Sequence, residues 1–215
     1  MPFVNNWTGF SGGNIVVAIL LMLSVLALAI VLLKLWQWRG ISLKRQHAVS
    51  EAIDFVYAGA DASALNALRG QRNPIAVALA AALRTRLSDQ PIEAAREAFE
   101  REGANQLMSL RYGLRALEMI ANLAPLLGLF GTVLGMIEAF QALENASGPV
   151  DPAMLSGGIW AALTTTAVGL ALAIPTMMAF ALFDQRTHRL AHRMDDTISR
   201  VLVPDPELEK DQRTQ

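Results

Sequence analysis

The chain has 215 residues, 53% hydrophobic and 17% charged, with a formal net charge of −1 and a mean hydropathy of +0.35. That is too apolar for an ordinary soluble domain and too nearly neutral to suggest nucleic-acid binding. With no cysteine, disulfides, thiolate metal sites and cysteine nucleophiles are excluded.

Residues 1–14 form a short, uncharged N-terminal segment. A first membrane span follows at 15–36, built on IVVAILLMLSVLALAIVLL, where Ser24 is the one polar side chain. A cleaved signal would need a positive n-region and a shorter apolar core, and neither is present. Lys34, Trp36, Trp38 and Arg39 close the span as expected interfacial anchors.

Residues 37–117 read as a helical insert. SEAIDFVYA and DASALNALRG are two short helices stopped at Gly59 and Gly70. NPIAVALAAALRTRL has Asn73 as N-cap and Pro74 at the first helical position. The next helix takes Asp89 as its cap candidate and Pro91 in its first turn, and runs on past Gly103 and Gly113 into a second span at 118–140. Unbroken from 91 to 143, it would be about 80 Å long.

A loop at 141–153 leads to a third span at 154–183, and residues 184–215 continue as an amphipathic helix with a polar tail after Pro204. The expected fold is an all-α membrane protein with three transmembrane helices. The second and third extend into a cytoplasmic helical bundle. Twelve of the 18 Lys and Arg fall between Lys34 and Arg115, the other six after position 185, and none in 1–33 or 138–151. The positive-inside rule then puts the N-terminus outside and the C-terminus in the cytoplasm.

Two of the spans carry small residues at helical spacing. Ala121, Pro125, Gly128, Thr132, Gly135 and Ala139 share one face of the second, where Gly131 and Gly135 also form a small-xxx-small pair. Gly158, Ala162, Thr166, Gly169, Ala173 and Thr176 make a similar stripe on the third. Thr164, Thr165 and Thr166 fan over about 200° and cannot all face one place. Thr166 aligns with the small stripe, Thr165 is its neighbour, and Thr164 points elsewhere or back to its own turn. Two readings stay open on spacing alone: helix packing, and a narrow pore lined by hydroxyls. Glu138 is a candidate pore-mouth group or an interfacial charge. Asn122 is a candidate for bonding between helices.

His188 and His192 have the i, i+4 spacing of metal ligands, but no third ligand is evident, so no metal and no cofactor is expected. The surrounding Arg and Asp read as a solvated bundle face. No phosphate loop, paired catalytic carboxylates or nucleophile constellation argues for an enzyme.

LAPLLGLFGTVLGMIEAF at 123–140, followed by GGIWAALTTTAVGLALAIPTMMAF at 157–180, resembles the two signature segments of the MotA/TolQ/ExbB proton-channel family, and its ExbB members most. The resemblance implies a homo-pentamer in the bacterial inner membrane. The ring would surround an ExbD-like single-span protein that supplies an intramembrane aspartate and would pass work to a TonB-like protein. It also implies pore-lining roles for Thr132 and Thr166, with Thr165 adjacent. One departure stands out: some relatives carry glutamate where this chain has Ala161. The third span has no carboxylate of its own, and the charge change is thrown onto the partner. A TolQ-like role in envelope integrity and a non-conducting scaffold are the alternatives.

Overall fold

A computed structural model describes residues 12–40, 46–145 and 152–202. The N-terminal segment before residue 12, residues 41–45 of the insert, residues 146–151 of the 141–153 loop and the tail after 202 lie outside the described residues. Everything described is helix or helix-connecting turn, without a strand: α1 (Gly12–Gly40), α2 (Gln46–Tyr57), α3 (Asp61–Ala67), α4 (Pro74–Arg86), α5 (Ile92–Arg111), α6 (Leu114–Glu144) and α7 (Pro152–Leu202). Three candidate membrane spans stand out by length and hydropathy, on α1, α6 and α7.

The backbone divides into two compact units. The first takes α1 up to Leu33, α6, and α7 up to Phe183. Its exterior is apolar, as lipid requires: Val25 is 70% exposed, Leu33 65%, Phe130 53% and Trp160 75%. Its interior is small. Val16, Leu20, Ala124 and Ala173 form the buried centre, with Leu127, Leu134, Val168 and Leu172 against it.

The second unit takes the chain from Lys34 to Tyr112 and from Asp184 onward. Here α4 is the central helix. Alanines and leucines cover it nearly all round, so it is buried on most sides, with Leu79 and Leu83 fully enclosed. Each such leucine contributes about 2 kcal/mol of burial. Phe99 of α5 and Leu190, Met194, Ile198 and Val201 of α7 complete the core at helical spacing. His188, His192, Arg189, Arg193, Asp195 and Asp196 stay on the exposed face of α7.

Local chemistry explains the helix ends. Gly59 and Gly70 adopt φ of +72° and +71°, where a side chain would be strained, and they close α2 and α3. The Asn73 side chain accepts from the Ile75 amide at 3.0 Å and caps α4, with Pro74 in its first turn. Asp89 does not cap α5. It takes a left-handed φ of 58° after α4, and its amide donates to the Arg86 carbonyl at 3.1 Å. An aspartate tolerates that conformation better than most residues, so it ends one helix instead of starting the next. Pro91 then occupies the N-cap of α5 without a side-chain cap bond.

The unbroken 91–143 helix is likewise corrected. Gly113 sits at φ +82°, and the backbone breaks between α5 and α6. A glycine inside a helical pattern is tolerated, but it is also the residue that enters the left-handed region most cheaply. The break leaves the last carbonyls of α5 without helical partners. Lys34 supplies one: its Nζ donates to the Leu110 carbonyl and to Gln37 Oε1, each at 2.8 Å, and the residue is only 5% exposed. A cation at a helix C-terminus also meets a favourable dipole. Lys34 is therefore an internal cap and not a free interfacial anchor. Trp38, one turn on, packs against the core of this unit, while Trp36 is 79% exposed. Lys34→Met removes the donor to a buried carbonyl and should cost about 1–3 kcal/mol. Thermal unfolding in detergent should show a lower midpoint; an unchanged midpoint would mean that the cap is dispensable.

Candidate functional site

The geometry of interest lies where α6 meets α7. Small residues let the two backbones approach closely. A Cβ added at Gly128 would lie 3.1 Å from the Thr165 carbonyl oxygen and 3.1 Å from Thr166 Cα. One at Gly169 would lie 2.6 Å from the Ala124 carbonyl oxygen. Gly131 faces Thr165, Gly135 faces Ala162, and Gly158 faces Ala139. The six positions Gly128, Gly131, Gly135, Gly158, Ala162 and Gly169 all stand in this contact.

Two threonine hydroxyls converge on one backbone group within it. Thr166 Oγ1 donates to the Gly128 carbonyl at 3.0 Å. Thr165 Oγ1 lies 3.1 Å from the same oxygen and 2.7 Å from the Ala162 carbonyl, sharing its single proton between them. Thr164 is exposed and bonds back to the Trp160 carbonyl at 2.8 Å. Thr132 donates to the Leu129 carbonyl at 2.6 Å.

The seam has two sides, and they divide the threonines. At 100° per residue, Gly131 and Thr132 lie roughly 60° and 40° to opposite sides of Gly128. Gly131 faces Val16 of α1 as well as Thr165. Thr165 is 3% exposed, and its methyl lies 3.9 Å from a Cβ added at Gly13. These mark the side that α1 covers. Thr132 and Thr166 fall on the other side, and both remain partly accessible. Thr132 there lines a groove with Val133, Met136, Ile137 and Phe140.

The remaining candidates are not gathered with them. Glu138 is partly buried and engaged in an interaction, on the α1 flank of α6, roughly 80° from Gly128. Asn122 is exposed, roughly 120° from Gly128, and has no hydrogen-bond partner among the described residues. Ala161 is exposed beside Trp160. His188 lies 3.6 Å from Asp184, and no group of three or more metal-ligating side chains forms among the described residues. The sequence gives no sign of the Gly128 carbonyl as a shared acceptor, because it is a backbone group.

The arrangement is a largely apolar helical hairpin with two partly accessible hydroxyls, Thr132 and Thr166, on the side of the seam away from α1. Hydroxyls can donate to an anion or accept from an acid without carrying charge themselves.

Comparison with known proteins gives this geometry its family. The profile of the MotA/TolQ/ExbB proton channel family matches residues 70–196, more than half of the chain. The biopolymer transport protein exbB1 of Vibrio cholerae is 38% identical over 89 residues, covering 41% of this chain and 39% of that protein. An ExbB-like protein of Synechocystis sp. is 32% identical over 173 residues, covering 80% and 67%. The Tol-Pal system protein TolQ of Haemophilus influenzae is 41% identical over 75 residues, covering 35% and 32%. The matches thus span from about a third to two thirds of these relatives' lengths. With its three apolar helices and this match, the chain is a multi-pass membrane protein that belongs to the MotA/TolQ/ExbB proton channel family.

Proposed function

We propose that this chain is the channel subunit of an ExbB-type inner-membrane motor that uses the proton-motive force to drive TonB-dependent transport at the outer membrane. The N-terminus is periplasmic, and the second unit, with the C-terminus, is cytoplasmic. Five copies surround an ExbD-like partner whose single span carries an aspartate. The observation that carries this reading is the pairing of Thr132 and Thr166 on the accessible side of the α6–α7 seam, in spans that lack a carboxylate at mid-depth.

A carboxylate at mid-membrane costs roughly 2.5–3.5 kcal/mol on insertion scales. Protonation removes that penalty. The hydroxyls of Thr132 and Thr166 lower it for the charged form by donating, and accept from the acid once it is protonated. Each could turn from its own-chain carbonyl to the aspartate and back, so a proton is carried without the ring ever holding a fixed charge. Thr165, enclosed on the α1 side, holds the two helices in register behind them. Membership in this family and the ExbB names of several relatives support the assignment. The identity to a TolQ keeps a TolQ-type role in envelope integrity as the second reading.

The test is the native mass of the detergent-purified complex, co-expressed with the single-span, aspartate-bearing protein encoded beside it. Five copies of this 23.3 kDa chain with two of the partner are expected. A monomer or small oligomer that ignores the partner would move the chain to the scaffold reading.

A further inference from the structure

A proton path that reaches Thr132 needs an entrance. Among the described residues, two carboxylates stand toward the outer end of α6. Glu138 is partly buried, already engaged, and set on the α1 flank. Glu144 is exposed and makes no hydrogen bond or ion pair among the described residues. It lines the same groove as Thr132, a concavity of about 510 Å³ along α6. Val133, Met136, Ile137 and Phe140 form the apolar wall between them. The two ends lie about 18 Å apart along the helix and roughly 120° apart around it, so the groove crosses the face obliquely.

Two features set the charge of Glu144 apart. No lysine, arginine or histidine occurs before Lys34 or between Arg115 and Arg186. Arg115, near the opposite end of α6, is the one basic residue in the sequence of the first unit. Negative charge at the outer end is therefore uncompensated. Glu144 is also the last residue of α6, whose final turn carries no basic side chain. The helix dipole already places partial negative charge there, so an acid weakens that end and a cation would strengthen it. Local stability does not explain a glutamate at this position.

Electrostatics does. A charge at the head of a cleft with low-dielectric walls focuses its field into the cleft. Counter-ions then concentrate there and enter about 10 to 1,000 times faster. The groove supplies such walls, and it ends on a hydroxyl.

We propose that Glu144 is the outer-mouth carboxylate of the proton path, drawing hydrated protons into the groove that ends on Thr132, an assignment that rests on the channel reading above. The full chain is reconstituted in vesicles with its aspartate-bearing partner, and proton flux is driven from the face that carries Glu144. Salt is set at about 0.01 M or about 1 M, where the screening length is roughly 30 Å or roughly 3 Å.

At low salt E144Q should conduct about tenfold more slowly than wild type, and E138Q at the wild-type rate. At high salt the three should converge. E144D keeps the charge and should conduct like wild type. The melting midpoint of E144Q should hold or rise, because an acid leaves a helix C-terminus. Slower flux through a chain no less stable is a combination that a packing role would not give. E144S carries the test if E144Q does not assemble. Wild-type flux from E144Q at low salt overturns the assignment. So does equal slowing by E144Q and E138Q, which marks a general effect of surface charge. T132V/T166V in the same vesicles keeps the two claims apart. If it is silent while E144Q conducts normally, only the entrance is lost; if it conducts normally, the hydroxyl path fails and its entrance with it.

Discussion

Replacing Thr132 and Thr166 together with valine is expected to abolish energy transduction while the complex still assembles, at the cost of the interhelical bond from Thr166 to the Gly128 carbonyl, whereas replacing Thr165 alone should chiefly destabilise the fold. Valine keeps the shape of threonine and removes the hydroxyl. At Thr132 and Thr166, both partly accessible on the side away from α1, the lost groups are those that would face a partner. An intramembrane aspartate then meets an all-apolar wall. If the full penalty of roughly 2.5–3.5 kcal/mol returns, its charged form becomes about a hundredfold rarer or more. Proton flux into vesicles holding the chain with its aspartate-bearing partner should fall to background, and the complex should still assemble. Full flux from the double variant would remove the hydroxyls from the mechanism.

Thr165 is a different case. It is 3% exposed, and its Oγ1 lies 3.1 Å from the Gly128 carbonyl. A methyl group at that distance from an oxygen is too close, and Thr165 is enclosed, so Thr165→Val both deletes an interhelical bond and forces the helices apart; Thr166→Val loses the same kind of bond, but at a partly accessible position where the side chain has room to shift. The bond alone averages about 0.6 kcal/mol in a membrane protein, and overpacking adds about 1–3 kcal/mol. Thr165→Ser keeps the hydroxyl and should melt close to the wild type. Flux through the T165V complex, once assembled, distinguishes a packing role from a conducting one.

How far the sequence reveals these features depends on which forces set them. The three spans follow from hydropathy alone, because lipid imposes one solution on a long apolar segment. Asn73 with Pro74, and the glycine stops at 59 and 70, are legible because the chemistry is local. Asp89 and Gly113 are not. Each residue type serves two ends of a helix, and the choice depends on packing several turns away. Lys34 follows the same logic: a lysine after an apolar run ordinarily anchors at the interface, and only the break at Gly113 exposes the carbonyl that it caps.

The threonine cluster is legible in part. Periodicity puts Thr166 with the small face and Thr164 off it; in the structure Thr166 bonds to the Gly128 carbonyl and Thr164 to the Trp160 carbonyl of its own turn. It cannot say which flank of that face α1 covers, since nothing in α6 or α7 encodes where a third helix lies. That position separates enclosed Thr165 from accessible Thr132 and Thr166. It also sets Glu138 on the flank away from Thr132, although sequence proximity to the span's outer end made it a candidate for the same path.

Gly169→Ala should be among the most damaging single methyls that can be added to the seam. The new Cβ would stand 2.6 Å from the Ala124 carbonyl oxygen and 3.0 Å from Gly128 Cα, both backbone atoms. Side chains can rotate away from such a contact, but a helix backbone has to translate. At Gly103 the nearest atom is the flexible Cε of Met194, at 2.9 Å, so the same change there should cost far less. The displacement at Gly169 would pull Thr166 from the Gly128 carbonyl, so one methyl disturbs packing and the hydroxyl strip together. About 1–3 kcal/mol of destabilisation is expected, set against the fraction of a kcal/mol that alanine gains in helix propensity. Gly157→Ala is the internal control: a Cβ there meets nothing within 4 Å, so propensity alone acts and the midpoint should hold or rise. The measurement is thermal unfolding of both variants in one detergent, with flux through the assembled complex as the second readout. If G169A and G157A melt alike, α6 and α7 are not in backbone contact, and the geometry that places Thr132 and Thr166 on a common side fails with it.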